Sequence, residues 1–271
     1  MHALELRITA WVQQWPGLGK PMEWISHLGP GKPMLGLAAV LLCLVGPGFA
    51  RRFAVLLVLC LWGRELLAMV LQSPRPYWFG EGVRTFRDPP LSVATFGLPS
   101  GHATTAAAVW FFLAAEVRRR WAWGLAVAIV GSVAVSRVYL GVHFTSDVVL
   151  GVVLGSAGAV AFRRLEGPVS ARWSALGGSG RSMAAVAVAS GTLLVSAAVQ
   201  AWVTRAVPEG AWPPYGATAR VSTGCAWAAG AIFGAALAAV DPVRWSAESD
   251  RWRWRWQRLA LTVAPAAFYF V

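Results

Sequence analysis

Long apolar runs recur along this chain from about residue 34 to its end, and the charges gather in short stretches between them. Of 271 residues, 57% are hydrophobic and only 13% are Asp, Glu, Lys or Arg, too little polar cover for a water-soluble domain. A backbone that crosses lipid must satisfy its own polar groups, so such runs fold as helices. The expected fold class is all-α, a polytopic helical membrane protein with about eight membrane segments. The spans are expected at about 34–50, 53–73, 100–116, 121–139, 146–162, 183–203, 218–240 and 259–271.

The remaining stretches set the organisation. In residues 1–33, Leu4, Leu6, Ile8, Trp11, Val12 and Trp15 form no single stripe, but the tryptophans suit a membrane interface. Two short interfacial helices are expected there, broken near Pro16-Gly17. Gln13, Gln14 and Pro16 interrupt what would be the apolar region of a cleaved signal. Residues 74–98 read as a polar, Pro-rich loop and 163–181 as a basic, Gly- and Ser-rich connector. The chain therefore divides into an N-terminal interfacial part (1–33), a core (34–163) and a C-terminal transmembrane extension (164–271).

The net charge of +12 does not indicate a nucleic-acid partner, because the basic residues sit in loops between apolar segments. Alternating the spans puts 51–52, 118–120, 163–181 and 241–258 on one side with 14 Lys and Arg residues, against nine on the other. The positive-inside rule makes the first side cytoplasmic. Arg251 to Trp256, alternating Arg and Trp, reads as juxtamembrane charge or an anchor to anionic lipid on that side. Cys43, Cys60 and Cys225 lie in apolar runs without metal-ligand spacing or a disulfide pattern.

Three polar islands at the ends of apolar runs carry the chemistry, and all three fall on the periplasmic or outer side. The first is Arg75-Pro76, whose guanidinium offers forked donors matched to phosphate oxygens. The second is Pro99-Ser100-Gly101-His102 at the start of a span, where free helix amides make an anion site and His102 can act as general acid. The third is Ser136-Arg137, then His143 and Asp147 four residues apart. On one helix face that carboxylate can fix the imidazole tautomer and leave the other nitrogen free to attack. Each part taken singly has an ordinary reading: a snorkelling arginine, an interfacial histidine, a chance Ser-Gly-His.

The combination is more specific. Arg-Pro is followed after 22 residues by Pro-Ser-Gly-His, after 33 more by Ser-Arg, then five residues, His, three residues and Asp. This pattern closely resembles the type 2 phosphatidic acid phosphatase superfamily, which shares its site with vanadium haloperoxidases. The flanking strings Leu98 to Ala103 and Ser136 to Phe144 resemble family sequence too, and the likeness covers about residues 60–160. The resemblance implies that His143 attacks phosphorus with Asp147 orienting it, and that His102 protonates the leaving group and later activates water. It implies that Arg75, Arg137, Ser100, Ser136 and the Gly101 amide bind the phosphate oxygens, with no metal and no cofactor. The implied partner is a lipid phosphate or diphosphate in the membrane, a polyprenyl diphosphate being favoured, met at the periplasmic face of a bacterial inner membrane.

One position departs from the family pattern. A lysine is expected seven residues before the arginine, two turns back on the same face, and this chain has Ala68. Arg64, one turn further back, or Arg84 or Arg87 from the loop, are candidates to supply the charge, although Glu65 stands beside Arg64. Phosphotransfer to another acceptor and lipid-phosphate binding without turnover are the alternatives. A channel is disfavoured because the polar groups gather at one membrane boundary. The sequence leaves the oligomeric state open.

Overall fold

The computed structural model describes residues 2–29, 34, 36, 37, 40, 46–79, 83–86 and 95–206. Helices α1 (His2–Val12) and α2 (Gly19–Ser26) precede α3 (Pro47–Leu71), and a single 3₁₀ turn follows at Pro76–Phe79. Then come α4 (Gly101–Val117), α5 (Arg120–Tyr139), α6 (Thr145–Ala175) and α7 (Gly178–Ala206). No strand forms among the described residues.

Among the described residues, four helices are long and apolar enough to cross a bilayer: Gly48–Phe79, Arg120–Tyr139, Thr145–Ala175 and Gly178–Arg205. Their outward faces carry Val127, Val135, Val149, Val153, Val186 and Leu194, all exposed, as lipid rather than water requires. α4 is shorter, at 17 residues, and sits at the centre of the bundle, buried through Ala103, Ala106, Ala107, Val109 and Phe112. Eight segments do not emerge from these residues. The spans expected at 218–240 and 259–271, the Arg251–Trp256 run and most of 34–45 lie outside the described residues, as do Cys43, Cys225 and Arg87.

Two boundaries differ from expectation. α3 begins at Pro47, with proline in its first turn, so Arg51 and Arg52 lie inside the helix rather than before it. The supposed connector at 163–181 is helical almost throughout: α6 continues to Ala175 and α7 starts at Gly178. The apolar run stops near 162, but the Arg, Leu, Glu and Ala residues that follow are good helix formers and continue the helix through Gly167 and Pro168. At 1.5 Å per residue α6 is about 46 Å long, well beyond a hydrocarbon core of about 30 Å. The division expected after residue 163 thus falls within α6.

Small residues bring α4 and α6 into close backbone contact. A Cβ on Gly155 would lie 2.1 Å from the Thr104 carbonyl oxygen, and one on Gly151 would lie 2.7 Å from that of Ser100. On the other side of α4, Ala106 and Ala107 pack on Val130 and Val133 of α5. Leu56 and Cys60 of α3 pack with Ala108, Phe112 and Ala159. α7 joins through Met69 and Val203 and through Trp62 Nε1, which donates to Ser196 Oγ at 3.0 Å.

One end of the bundle is tied by charge. Arg52 of α3 donates from Nε to Glu166 Oε2 at 2.7 Å and from Nη1 and Nη2 to Glu116 at 3.0 and 3.1 Å, so one guanidinium joins α3, α4 and α6. Arg163 approaches Glu116 at 3.5 Å. Removing the guanidinium with Arg52→Ala is expected to cost about 1–2 kcal/mol, because the forked geometry raises the pairs above ordinary partly exposed ones. A lower thermal midpoint in detergent checks this, and it should shrink in high salt.

Candidate active site

The opposite end of the bundle gathers all three polar islands. α3 ends in an extended stretch that carries Arg75, α4 starts at Gly101, α5 ends near Arg137, and α6 starts just after His143. His143 and Asp147 are buried, at 1% and 0% exposure. His143 Nδ1 lies 3.3 Å from Asp147 Oδ2, and the same oxygen accepts the Phe144 N–H at 2.9 Å. The carboxylate therefore caps its own helix while holding the imidazole.

The other imidazole nitrogen, Nε2, faces Arg75 Nη1 at 3.4 Å. A guanidinium only donates, so Nε2 presents its lone pair on that side. Arg75 is itself fixed by Thr95: Nε donates to its carbonyl at 2.6 Å and Nη2 to its hydroxyl at 2.7 Å. A third donor, Nη1, reaches the Val142 carbonyl at 3.2 Å. Burial, and after it the positive charges of Arg75, Arg137 and Arg64, hold the His143 imidazole well below the ordinary histidine range, so it is neutral at pH 7.

His102 stands in the first turn of α4, close enough to His143 for its charge to be felt there. Ser100 is fully buried; its N–H donates to the Asp147 carbonyl at 2.9 Å, joining the second island to the third. Two donors here, Ser100 Oγ and Arg137 Nε, are buried without a hydrogen-bond partner. Buried donors without partners are costly, and a bound oxyanion would satisfy both.

Ser136 differs. Its hydroxyl donates back to the Val133 carbonyl at 2.7 Å, within the last turn of α5. A Cβ on Gly101 would lie 3.4 Å from Arg64 Nε, an ordinary contact distance.

The place of the absent lysine is filled from within the protein. Ala68 is buried with Phe96 and Trp78 packed on it. Arg64, only 4% exposed, donates from Nε to the Pro99 carbonyl at 2.8 Å, from Nη2 to the Phe96 carbonyl at 3.2 Å, and from Nη1 to Glu65. Its charge reaches the site while its donors hold the 96–99 loop. The backbone of Arg84 exchanges hydrogen bonds with the Gln13 side chain, its N–H donating to Oε1 and its carbonyl accepting from Nε2.

Sequence reasoning missed Thr95, Gly97, Glu5 and Ser26. A Cβ on Gly97 would lie 2.8 Å from Asp147 Oδ2 and 3.1 Å from the Pro74 carbonyl oxygen, so only glycine lets the loop pass. A glycine three residues before Ser100 was the one available signal. Thr95 is an unremarked residue in a loop, and nothing in its neighbours announces its partner.

The sequence model of the PAP2 superfamily matches residues 49–169. Phosphatidylglycerophosphatase B of Bacillus subtilis (strain 168) is 33% identical over 153 residues, covering 52% of this chain and 71% of that protein. Sphingosine-1-phosphate phosphatase 2 of Mus musculus is 33% identical over 116 residues, covering 41% of this chain and 32% of that protein. A crystal structure of a transmembrane PAP2-type phosphatidylglycerolphosphate phosphatase from Bacillus subtilis matches with a TM-score of 0.49 and 24% identity, over 62% of this chain and 87% of that one. The motif spacing and the extent of the Bacillus phosphatase covered lead to one conclusion: the chain belongs to the PAP2 superfamily, as a phosphate-ester hydrolase embedded in the membrane.

Proposed function

We propose that the protein hydrolyses a lipid phosphate or diphosphate at the periplasmic face of a bacterial inner membrane, through a phospho-histidine on His143. The observation that carries this reading is the orientation of one side chain: His143 turns Nδ1 to Asp147 and Nε2 to Arg75. In the proposed first step the Nε2 lone pair attacks phosphorus, a P–N bond forms and the P–O bond to the lipid breaks. His102 gives its proton to the departing oxygen. In the second step His102 takes a proton from water, the oxygen attacks phosphorus, and the P–N bond breaks to release phosphate. Arg75, Arg137, the Ser100 hydroxyl and the Gly101 amide neutralise charge on the oxygens during both steps. Arg137 Nε and Ser100 Oγ, the buried unpartnered donors, support that assignment.

The periplasmic orientation is supported by Arg51, Arg52, the Arg118–Arg120 turn, Arg163 and Arg164 at the end of the bundle away from this cluster. The match over 49–169 supports a catalytic core at about 34–163. A site at a membrane boundary favours a substrate held beside it by its chain. A polyprenyl diphosphate and a phosphatidylglycerol phosphate are the classes to separate; the name of the Bacillus relative speaks for the second.

The deciding experiment is phosphate release by detergent-purified full-length protein, in EDTA, from polyprenyl diphosphate, phosphatidylglycerol phosphate, phosphatidic acid and sphingosine 1-phosphate. One class is expected to be turned over at least about tenfold faster than the rest, since contacts beyond the phosphate discriminate by 1–3 kcal/mol. Silence toward all of them with folded protein sinks the hydrolase reading and leaves binding or phosphotransfer. The pH profile adds a check. Only neutral His143 can attack, and its affinity for protons is lowered, so the loss of rate on acidification due to this group should fall below pH 6.5. An acid limb centred above pH 6.5 that vanishes with His143 would contradict it.

A further inference from the structure

The N-terminal 29 residues lie outside the family match, yet they touch the elements that carry its motifs. Glu5 of α1 is buried, and its Oε1 accepts the Ser146 N–H at 3.0 Å, one residue before Asp147. The His2 ring stacks on Phe144, next to His143, with centroids 4.9 Å apart. After α2 the chain runs against the start of α4, so that a Cβ on Gly29 would lie 3.1 Å from the His102 carbonyl oxygen. Leu28 accepts a hydrogen bond there from Trp110 Nε1 at 3.0 Å.

The contact with most chemical consequence is at the end of α2. Ser26, 4% exposed, accepts a hydrogen bond from Arg137 Nη1 at 2.5 Å. We propose that Ser26 is a positioning residue of the active site, fixing the plane of the Arg137 guanidinium so that its Nε edge is held ready for a phosphate oxygen. This rests on the phosphatase reading above, since it takes phosphate to be the ligand.

Three facts carry it. Arg137 Nε is buried without a partner, so the guanidinium is held at one corner and open at another. A guanidinium is planar, and one short bond at Nη1 settles where its remaining donors point, removing rotamer freedom that binding would otherwise have to overcome. Last, the holder is a neutral hydroxyl. A carboxylate at position 26 would orient the cation equally well but cancel its charge; serine leaves the full charge for the phosphate. The family match begins at residue 49, so this device belongs to the N-terminal segment and not to the matched core.

The test uses the full-length protein in detergent with Ser26→Ala and Ser26→Thr, reading kcat, KM, inhibition by orthovanadate and thermal unfolding. Vanadate is chosen because it takes the geometry of phosphorus under attack. Ser26→Ala should lower kcat and vanadate affinity together by about tenfold, with KM within about twofold, as loss of orientation predicts. Ser26→Thr, which keeps the hydroxyl, should stay near wild type. Wild-type kcat and vanadate affinity in Ser26→Ala overturn the proposal. Equal losses in both variants with a lower unfolding temperature assign Ser26 to folding and overturn it as well. A wild-type protein that neither hydrolyses lipid phosphates nor binds vanadate overturns the phosphatase reading itself, and does so before any substitution is made.

Discussion

His143→Ala should lower phosphate release from the preferred lipid by at least about a thousandfold, because the proposed route runs through a bond to its Nε2. Asp147→Asn is the finer probe. The amide oxygen can still accept the Phe144 N–H, now made at 2.9 Å, so the start of α6 keeps its cap. It no longer offers a charge to the His143 Nδ1 proton, and a loss of about a hundredfold or more is expected. Rapid acid-free quenching with labelled substrate should trap a phosphoenzyme in the wild type that acid destroys and alkali spares, as expected of a P–N bond. Absence of that species in a wild type that turns over, together with an active His143→Ala, would replace covalent catalysis by direct attack of water.

The second large effect is expected at Arg64. Its Nε donates to the Pro99 carbonyl, its Nη2 to the Phe96 carbonyl and its Nη1 to Glu65, so its first role is to hold the 96–101 loop. Arg64→Met leaves two buried carbonyls unpaired and removes a cation near the phosphate site. A fall in kcat of about a hundredfold is expected from a loss of this kind. Ala68→Lys alone should bring no gain, since Ala68 is packed under Phe96 and Trp78 and the neighbouring charge is already present. In the Arg64→Met background the same lysine gains room and should return part of the rate. Near-wild-type kcat in Arg64→Met would show the loop to be held without it. A gain from Ala68→Lys in the wild type would show that the charge at the phosphate site is deficient.

The sequence and the structure agree best where the physics is local. The two helices flanking Pro16-Gly17, the starts of α4 and α6, and the i,i+4 relation of His143 to Asp147 follow from spacing and turn chemistry alone. Arg75 follows an apolar run while His102 and His143 stand at the start of others, which on alternating spans puts all three at one end of the bundle. Helix ends in water were not legible by hydropathy: Arg163 to Ala175 looked like a linker because hydropathy measures lipid, not helix. Partners joined across the fold were equally hidden. Thr95 under Arg75 and Ser26 under Arg137 are ordinary residues whose roles come only from a neighbour 20 or 111 positions away.

The glycine contacts between α4 and α6 have a consequence for how catalysis moves. His102 is borne on the first turn of α4 and Asp147 on the first turn of α6, with His143 just before it. With the Gly155 Cα seated against the Thr104 carbonyl, and the Ser100 N–H bound to the Asp147 carbonyl, these two helices cannot slide past one another without steric collision. They act as the fixed jaw of a vice that keeps His102 and the His143–Asp147 pair at one separation. Under the function proposed above, an opening that admits a lipid would leave this jaw closed and involve what packs against it, such as α1.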